Sequence, residues 1–146
     1  MNDDPIRRRA DLLSEFFSHA PMKGTFGMTL SFDEAGDATF HMPNNPQMHH
    51  SFRDTHGGVI ATLIDNAGWF TAATRYDFWV NTSELTVRLL EPANQETLIG
   101  RGSIIRAGGR VCVASMTVHS ASGRLVATGS GSFMVSSKRI ALPGKG

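Results

Sequence analysis

The stretch from Gly58 to Thr74 constrains the fold of this chain more than any other, because its residues are apolar, small or uncharged polar with the single exception of Asp65. A run of this length and composition predicts a buried helix. A carboxylate in such surroundings costs free energy unless it is hydrogen-bonded or lines a wet cleft. Asp65 is therefore either held by neighbouring hydroxyls and backbone amides or part of a functional site.

A helical wheel divides this helix into two faces that differ in bulk. We expect the bulky face to pack in the core, and the small-residue face to let a ligand or another backbone approach Asp65. The residues around Asp65 are Gly58, Ala61, Thr62, Gly68, Trp69 and Ala72, and those on the opposite face are Val59, Ile60, Leu63, Ala67 and Phe70.

Length, charge and cysteine content exclude several classes of protein. The 146 residues suit one domain, which we expect to span residues 1–146 with its core at about 22–136. A net charge of +1 with 18% charged residues favours neither nucleic acid nor a membrane surface as a partner. One cysteine, Cys112, excludes an intrachain disulfide, and no apolar run is long enough to span a bilayer. We therefore expect a cytoplasmic protein.

The remaining pattern predicts an α+β chain. Residues 4–20 have the pattern of an amphipathic helix, which we expect only to cover apolar surface. Two short strands form a hairpin before the central helix, and four longer strands follow it, joined by short turns that imply antiparallel neighbours. Glycines inside the last strand predict a close approach of another backbone. Residues 138–146 are expected to form a flexible tail. The predicted strands are Phe26–Phe32, Ala38–Met42, Asn81–Glu91, Thr97–Arg106, Val111–His119 and Leu125–Val135.

The His-Gly-Gly motif at residues 56–58, followed by an aliphatic run and Asp65, resembles the signature of one enzyme family. It is similar to that of the hotdog-fold acyl-CoA thioesterases of the PaaI-like type, which are related to 4-hydroxybenzoyl-CoA thioesterase. The likeness extends from about Phe26 to Val135, because the Pro-ended strand Thr82–Pro92 and the final strand Gly123–Gly129 also have the family's look. The resemblance implies a curved antiparallel sheet wrapped around a long central helix, in a homodimer or a dimer of dimers.

The resemblance also implies a catalytic pair that needs no cofactor. Asp65 would act as general base or as nucleophile, and the sequence leaves both roles open. The Gly57 amide at the start of the helix would donate to the oxyanion, with Asp65 supplied by the partner subunit. His56 would position the start of the helix. The alternative is a non-catalytic acyl-CoA-binding module, a ligand sensor, which would need a pocket but no ionised carboxylate at its centre.

Two further catalytic candidates raise questions that the sequence leaves open. His50 stands where the family usually has an asparagine that helps to hold the thioester carbonyl or the water, and an imidazole donates one hydrogen bond but also titrates near neutral pH. Thr82 matches a Ser or Thr that the family places near the attacking water. Since Leu85 and Val87 share a face with Ser83, a bulge would be needed for Thr82 to face inward, and Ser83 is the alternative.

The expected substrate-binding residues come from three places in the chain. Gly58 would allow close approach at the helix start, and Trp69 would line an apolar pocket together with Met22, Phe26, Met28 and Phe70. Arginines that flank a glycine turn are suited to phosphates. The residues that the resemblance implies for coenzyme A are Leu90, Glu91, Pro92, Arg106, Gly108, Gly109, Arg110, Val111 and Ser132.

The histidines before the helix raise the question of a metal. Their spacing matches no recognised zinc pattern, and the cluster contains no cysteine ligand, so we expect no metal site. The histidines concerned are His41, His49, His50 and His56. The sequence does not identify the acyl group of the substrate.

Overall fold

The computed structural model describes residues 4–141, in which three α-helices accompany one six-stranded sheet. The helices are α1 (Pro5–Ser18), α2 (Pro21–Phe26) and α3 (Gly57–Ala73), and one 3-10 turn covers Pro46–Met48. The strands are β1 (Thr29–Phe32), β2 (Ala38–Met42), β3 (Phe78–Leu89), β4 (Leu98–Ala107), β5 (Val111–Ser120) and β6 (Leu125–Arg139). The strand order is β1-β2-β4-β5-β6-β3 and every neighbouring pair is antiparallel, so the predicted α+β architecture is confirmed.

Helix α3 lies against the sheet and forms the centre of the core. Leu63 and Ala67 are fully buried, as their place on the bulky face predicts, and Ile64, which the wheel placed on neither face, is fully buried as well. A Cβ on Gly129 of β6 would lie 2.7 Å from Cγ2 of Ile64, so only glycine lets the strand and the helix come this close. The close approach of a backbone expected at the glycines of the last strand is also present, because the added Cβ would lie 2.8 Å from the carbonyl oxygen of Thr86 on β3, while α3 approaches with the side chain of Ile64.

The small-residue face of α3 is open only in the N-terminal half of the helix. Ala61, Thr62 and Asp65 are half-buried, whereas Gly68 and Ala72 are fully enclosed. A Cβ on Gly68 would lie 2.7 Å from the sulfur of Met116 on the sheet. At Gly68 the small residue admits the sheet, and only the N-terminal half of this face leaves room beside Asp65.

Helix α1 begins and packs as its sequence predicts. The carboxylate of Asp4 accepts the N–H of Ile6 at 3.0 Å, and Pro5 occupies the first turn, where its missing N–H costs nothing. Phe17 is buried edge-on between Phe40 and Phe70, with ring centroids 5.2 and 5.4 Å apart. These aromatic contacts join α1 to the core.

The first strand begins later than predicted. Residues Pro21–Phe26 form α2, which ends at Gly27 with a φ of +69°, and β1 starts only at Thr29. A left-handed glycine after a helix is a common helix stop, and it reorients the chain before the strand. The hairpin of β1 and β2 itself is present as predicted.

Strand β3 does not pair with β4, although the predicted short turn implied that these strands are neighbours. The connection between them, residues 90–97, carries the chain past β5 and β6, so that β3 pairs with β6 and stands at the edge of the sheet. A tight hairpin turn would have held the two strands together, but a connection of this length does not. The predicted antiparallel pairs β4–β5 and β5–β6 are confirmed.

The predicted tail is partly ordered structure. Strand β6 continues to Arg139, and the N–H of Ile140 donates to the carbonyl of Asp77 at 3.1 Å. The remainder of the predicted tail, residues 142–146, lies outside the residues described. Over residues 4–141 no helix is both long and apolar enough to cross a bilayer.

Candidate active site

The carboxylate of Asp65 is half-buried on α3 and accepts a hydrogen bond from a neighbouring strand. Thr82 of β3 donates its hydroxyl to Oδ1 of Asp65 at 2.8 Å. Burial raises the pKa of Asp65 above its ordinary value, and the hydrogen bond from Thr82 opposes that rise only in part. Asp65 is therefore a stronger base than an exposed aspartate, and its Oδ2 is free of the Thr82 bond.

A bulge in β3 brings Thr82 to Asp65. Thr82 pairs with Phe133 of β6, but Glu84 already pairs with Ser132, so Ser83 is one residue extra on the β3 side. The hydroxyl of Ser83 donates to the carbonyl of Ser132 at 3.0 Å instead of to Asp65. The structure thus contains the bulge that Thr82 needs in order to face Asp65, and the alternative residue, Ser83, donates its hydrogen bond to β6 instead.

An apolar cavity of about 230 Å³ opens beside Asp65, and we call it the aromatic pocket. Met22, Trp69 and Phe70 line it as predicted, whereas Phe26 and Met28 do not, and Met28 is fully buried beneath it. Helix α1 forms part of its wall, so this helix borders a cavity in addition to covering apolar surface as expected. The lining residues are Phe16, Phe17, Ala20, Met22, Asp65, Asn66, Trp69, Phe70 and Trp79.

The N-terminus of α3 leaves one backbone donor without a partner. His56 caps the helix, because its Nδ1 accepts the N–H of Gly58 at 2.8 Å while its carbonyl accepts from Val59 and Ile60. Within residues 4–141 the N–H of Gly57 makes no hydrogen bond. Gly57 therefore presents a free amide at the positive end of the helix dipole, where a developing negative charge would be stabilised.

A second cleft, of about 340 Å³, surrounds this amide, and we call it the helix-start cleft. It brings Gly57 together with His50 and with the predicted coenzyme segment Leu90–Pro92. The Nδ1 of His50 accepts the N–H of Phe52 at 3.1 Å, so the neutral imidazole carries its proton on Nε2 and keeps one donor to offer. The lining residues are His50, Asp54, Thr55, Gly57, Ile60, Leu89, Leu90, Glu91, Pro92 and Ala93.

Asp54, which the sequence analysis did not single out, ties the loop before α3 to the loop after β3. Its carboxylate accepts the N–H groups of Thr55, Asn94 and Gln95, each at 2.9 Å. Burial acts to raise the pKa of Asp54, but these three N–H groups outweigh it and hold the pKa below its usual range. Asn94 and Gln95 have φ values of 55° and 57°, a left-handed conformation that the carboxylate stabilises.

Arg124 fixes the same loop from the other side, and it was also missed. Its guanidinium donates to the carbonyls of Pro92 and Ala93 at 3.1 Å, and it pairs with Glu91 at 2.8 Å and Glu96 at 2.7 Å. An arginine that holds backbone carbonyls and two carboxylates at once orders the segment between them. The wall of the helix-start cleft is therefore held in place by contacts distant in sequence.

The predicted site residues fall into two spatial groups, one near the start of α3 and one near Asp65 in the middle of that helix. Gly57 and Asp65 are eight residues apart on one helix, which separates them by about 12 Å along its axis. The turn after β4 belongs to the Asp65 end, because Cys112 pairs with Phe133 and Phe133 pairs with Thr82. The group at the Asp65 end is Asp65, Trp69, Thr82, Ser83, Arg106, Gly108, Gly109, Arg110, Val111 and Ser132, and the other group is His50, His56, Gly57, Gly58, Leu90, Glu91 and Pro92.

The histidines near the helix start are engaged individually. His49 Nε2 lies 2.7 Å from Oδ1 of Asn44, and His50 and His56 each accept a backbone N–H. In the part of the chain that the structure describes, no three His, Cys, Asp or Glu side chains come together in a way that would hold a metal ion.

Comparison with known proteins places the chain in a family. The model of the thioesterase superfamily matches residues 52–127, more than half of the chain. The medium/long-chain acyl-CoA thioesterase YigI of Escherichia coli K12 is 28% identical over an alignment of 137 positions that covers 82% of this chain and 88% of YigI.

Two solved structures share the fold. The E. coli PaaI protein from the phenylacetic acid degradation operon matches with a TM-score of 0.82 over 94% of this chain and 97% of its own, and its 18% identity limits that likeness to the fold. The BH2602 protein of Bacillus halodurans, solved with CoA, matches with a TM-score of 0.77 at 25% identity, over 92% of this chain and 91% of its own. The predicted hotdog fold is confirmed, as is the predicted class of enzyme. This chain belongs to the thioesterase superfamily, the family of thioester hydrolases that the motif at residues 56–65 predicted.

Proposed function

We propose that this protein is an acyl-CoA thioesterase that hydrolyses an acyl- or aryl-CoA thioester to the free acid and CoA. The observation that carries the proposal is Asp65, a half-buried carboxylate with a raised pKa that is held by Thr82 at the edge of an apolar pocket. A ligand sensor would need the pocket alone. The basic carboxylate costs folding free energy and is accounted for by catalysis. The acyl-CoA activity named for YigI supports the same assignment.

The proposed active site is shared between two subunits, because the two groups of site residues are too far apart in one chain. Strand β3 is twelve residues long and stands at the edge of the sheet, where it offers an unpaired row of backbone groups. Antiparallel pairing of two β3 strands about a two-fold axis sets the Leu89 end of one strand opposite the Thr82 half of the other. Gly57 lies beside Leu89, since a Cβ on Gly57 would be 2.6 Å from Cδ1 of Leu89. Such a homodimer brings Gly57 of the partner subunit next to Asp65.

In the proposed reaction each group has one task. The N–H of Gly57 donates to the thioester carbonyl oxygen and stabilises the negative charge that develops there. In one route the carboxylate of Asp65 takes a proton from the attacking water, the carbon–sulfur bond breaks, and the proton passes from Asp65 to the CoA thiolate. In the other route the carboxylate attacks the carbonyl carbon and expels the CoA thiolate, which leaves a mixed anhydride; water then hydrolyses this anhydride to the free acid, regenerates Asp65 and supplies the proton that the thiolate takes up. The hydroxyl of Thr82 orients Asp65, and His50 Nε2–H donates to the carbonyl or the water. His56 keeps the helix start in position.

The coenzyme would lie across both ends of the site. Leu90, Glu91 and Pro92 form the wall of the helix-start cleft, while exposed Arg106 and Arg110 flank the turn near Thr82. In a dimer each substrate would therefore contact one group from each subunit. We also propose that the chain forms one domain and acts in the cytoplasm, a reducing compartment that suits its buried free Cys112.

A panel of acyl-CoA substrates, followed by release of free thiol, tests the proposal. Asp65→Asn keeps the shape of the side chain and the bond from Thr82, but it removes both base and nucleophile, so turnover should fall by about two orders of magnitude or more. Sedimentation of the wild type should give a dimer or a dimer of dimers. Turnover of the Asn variant at the wild-type rate would remove Asp65 from the reaction, and a fully active monomer at nanomolar concentration would refute the shared site.

A further inference from the structure

We infer that helix α1 sets the size of the acyl group, with Phe16 and Trp79 closing the end of the aromatic pocket remote from Asp65; this rests on the proposed function. Trp69 follows Asp65 by one helical turn on the same face of α3. Trp79 packs on Trp69 with ring centroids 4.7 Å apart, and Phe16 packs edge-on against Trp79 at 5.9 Å. The rings therefore form a continuous wall that leads away from the carboxylate and ends on α1.

The pocket is built for an apolar occupant. Both indole nitrogens are satisfied away from it, since Trp69 donates to the carbonyl of Val80 at 2.7 Å and Trp79 donates to the Asn81 side chain at 3.0 Å. Asp65 is the one ionisable residue among those that line the pocket. The other polar side chain of the lining, Asn66, is next to Asp65 in the chain, so a carboxyl or hydroxyl group at the far end of the acyl chain, beside Phe16 and Trp79, would be buried without a hydrogen-bond partner, which costs free energy. Acyl groups with a polar end should be rejected.

The volume of the pocket limits the length of the acyl group. At roughly 30 Å³ for each group of the size of a water molecule, 230 Å³ holds about eight non-hydrogen atoms. The substrate class that fits is an apolar acyl group of about this size, a medium-length alkyl chain or a single aryl ring on a short linker. A longer chain meets the ring of Phe16.

The wall formed by Phe16 is fixed by its neighbours on the same helix. The adjacent Phe17 is buried between Phe40 and Phe70, and Arg9 pairs with Asp77 at 2.8 Å. These contacts hold α1 on the domain independently of the half-buried Phe16 side chain. Truncation of Phe16 should therefore open the pocket without releasing the helix.

Measurement of kcat/KM against acyl length for Phe16→Ala and Phe16→Trp tests this role. For the wild type we expect kcat/KM to rise to about eight carbons and then to level off or fall. In Phe16→Ala each methylene that gains room should raise kcat/KM by about fourfold. The ratio of kcat/KM for dodecanoyl-CoA to kcat/KM for octanoyl-CoA should therefore rise at least tenfold over the wild-type ratio. Butanoyl-CoA should change little, because a short chain does not reach Phe16. Phe16→Trp should shift the preference towards shorter chains.

Leu12→Ala is the matched control, because Leu12 lies one turn earlier on α1 and is not among the residues that line the pocket. An equal change of chain-length preference in the Leu12 variant, or an unchanged preference in both Phe16 variants, would overturn the inference. A wild type that is inactive on every acyl-CoA refutes the proposed function instead. In that case the affinities of the wild type and Phe16→Ala for octanoate and dodecanoate, measured by calorimetry, test the role of Phe16 without turnover. If Phe16 closes the pocket, Phe16→Ala should bind dodecanoate more tightly relative to octanoate than the wild type does. An unchanged ratio of the two affinities would refute the inference.

Discussion

Replacing Gly57 by proline removes one backbone donor while leaving the helix start intact. Gly57 is the first residue of α3, where proline is well tolerated because the N–H there has no intrahelical partner. The preceding residue, His56, is extended with a ψ of 138°, the conformation that a following proline requires. The cap from His56 to the N–H of Gly58 is untouched. The helix start should therefore change little, although proline also brings a Cβ against Leu89, for which a control variant is needed.

The expected loss follows from the role of the amide. Removal of one oxyanion donor typically lowers turnover by about 10²–10³-fold, or about 2.7–4 kcal/mol of transition-state stabilisation. Gly57→Ala is the matched control, since it keeps the N–H but also adds a Cβ, which would meet Cδ1 of Leu89 at 2.6 Å. Leu89 is 53% exposed and its side chain can turn aside, so alanine should cost about tenfold at most. Both variants add a Cβ, but only proline lacks the N–H, so the ratio of their turnover rates reports the loss of the amide donor.

Steady-state hydrolysis of octanoyl-CoA, with circular dichroism as a check of folding, measures this ratio. Equal turnover of the alanine and proline variants would show that the amide does not hold the oxyanion. Mixing Gly57→Pro with Asp65→Asn tests the shared site directly, because a heterodimer combines the intact Gly57 of one chain with the intact Asp65 of the other. Free exchange of subunits should restore about one quarter of wild-type activity. A mixture no more active than its components would show that Gly57 and Asp65 of different chains do not form a common site.

Four further predictions concern individual side chains. Thr82→Val removes the hydrogen bond that lowers the pKa of Asp65, so the acidic limb of the pH–rate profile should move to higher pH. Turnover at neutral pH should fall about fivefold to tenfold. Thr82→Ser keeps a hydroxyl donor and should stay near the wild-type rate. Because burial raises the pKa of Asp65 in the folded state, the ionised carboxylate destabilises the fold. At a pH above that raised pKa, Asp65→Asn should therefore melt at a higher temperature than the wild type. This difference in melting temperature should vanish as the pH falls below the ordinary aspartate pKa, because Asp65 is then uncharged in both the folded and the unfolded state. His50→Asn should keep much of the activity through its amide donor while His50→Ala loses roughly 1–3 kcal/mol of transition-state stabilisation, and equal rates for both between about pH 5 and 8 would place His50 outside the reaction. Asp54→Ala leaves three backbone N–H groups without their acceptor and should lower the free energy of unfolding by about 1–3 kcal/mol in urea denaturation, with a rise in KM for CoA substrates.

Features that depend on neighbours in the chain were predictable. The central helix, the hairpin of β1 and β2 and the turns that join β4, β5 and β6 follow from apolar periodicity and from turn residues, which act within a few positions. Asp65 stood out for the same reason, as one charge in an apolar run. The free amide of Gly57 was also predictable, since every helix leaves its first N–H groups without intrahelical partners.

Features that depend on pairing between distant segments were not predictable. The position of Thr82 required a bulge, and only the register between β3 and β6 supplies it. Asp54 accepts N–H groups that lie 40 and 41 residues further along the chain, and Arg124 donates to carbonyls that lie 31 and 32 residues before it. Neither role can therefore be predicted from the residues next to Asp54 or Arg124 in the sequence. The placement of β3 at the edge of the sheet likewise depends on strand order rather than on turn length.

The aromatic pocket shows the division between sequence and tertiary structure most clearly. The amphipathic pattern by itself determined that α1 is a helix with an apolar face, because helix formation and burial of a stripe are properties of one segment. Whether Phe16 covers the core or borders a cavity is decided by what it packs against, and its partner Trp79 lies on a strand at the far edge of the sheet. The sequence determined which residues are apolar, small or charged, and the packing of α1, α3 and β3 decided that one group of them forms a pocket beside Asp65. The physical reason is that periodicity is local, whereas a cavity exists only between elements whose relative positions are set by the whole core.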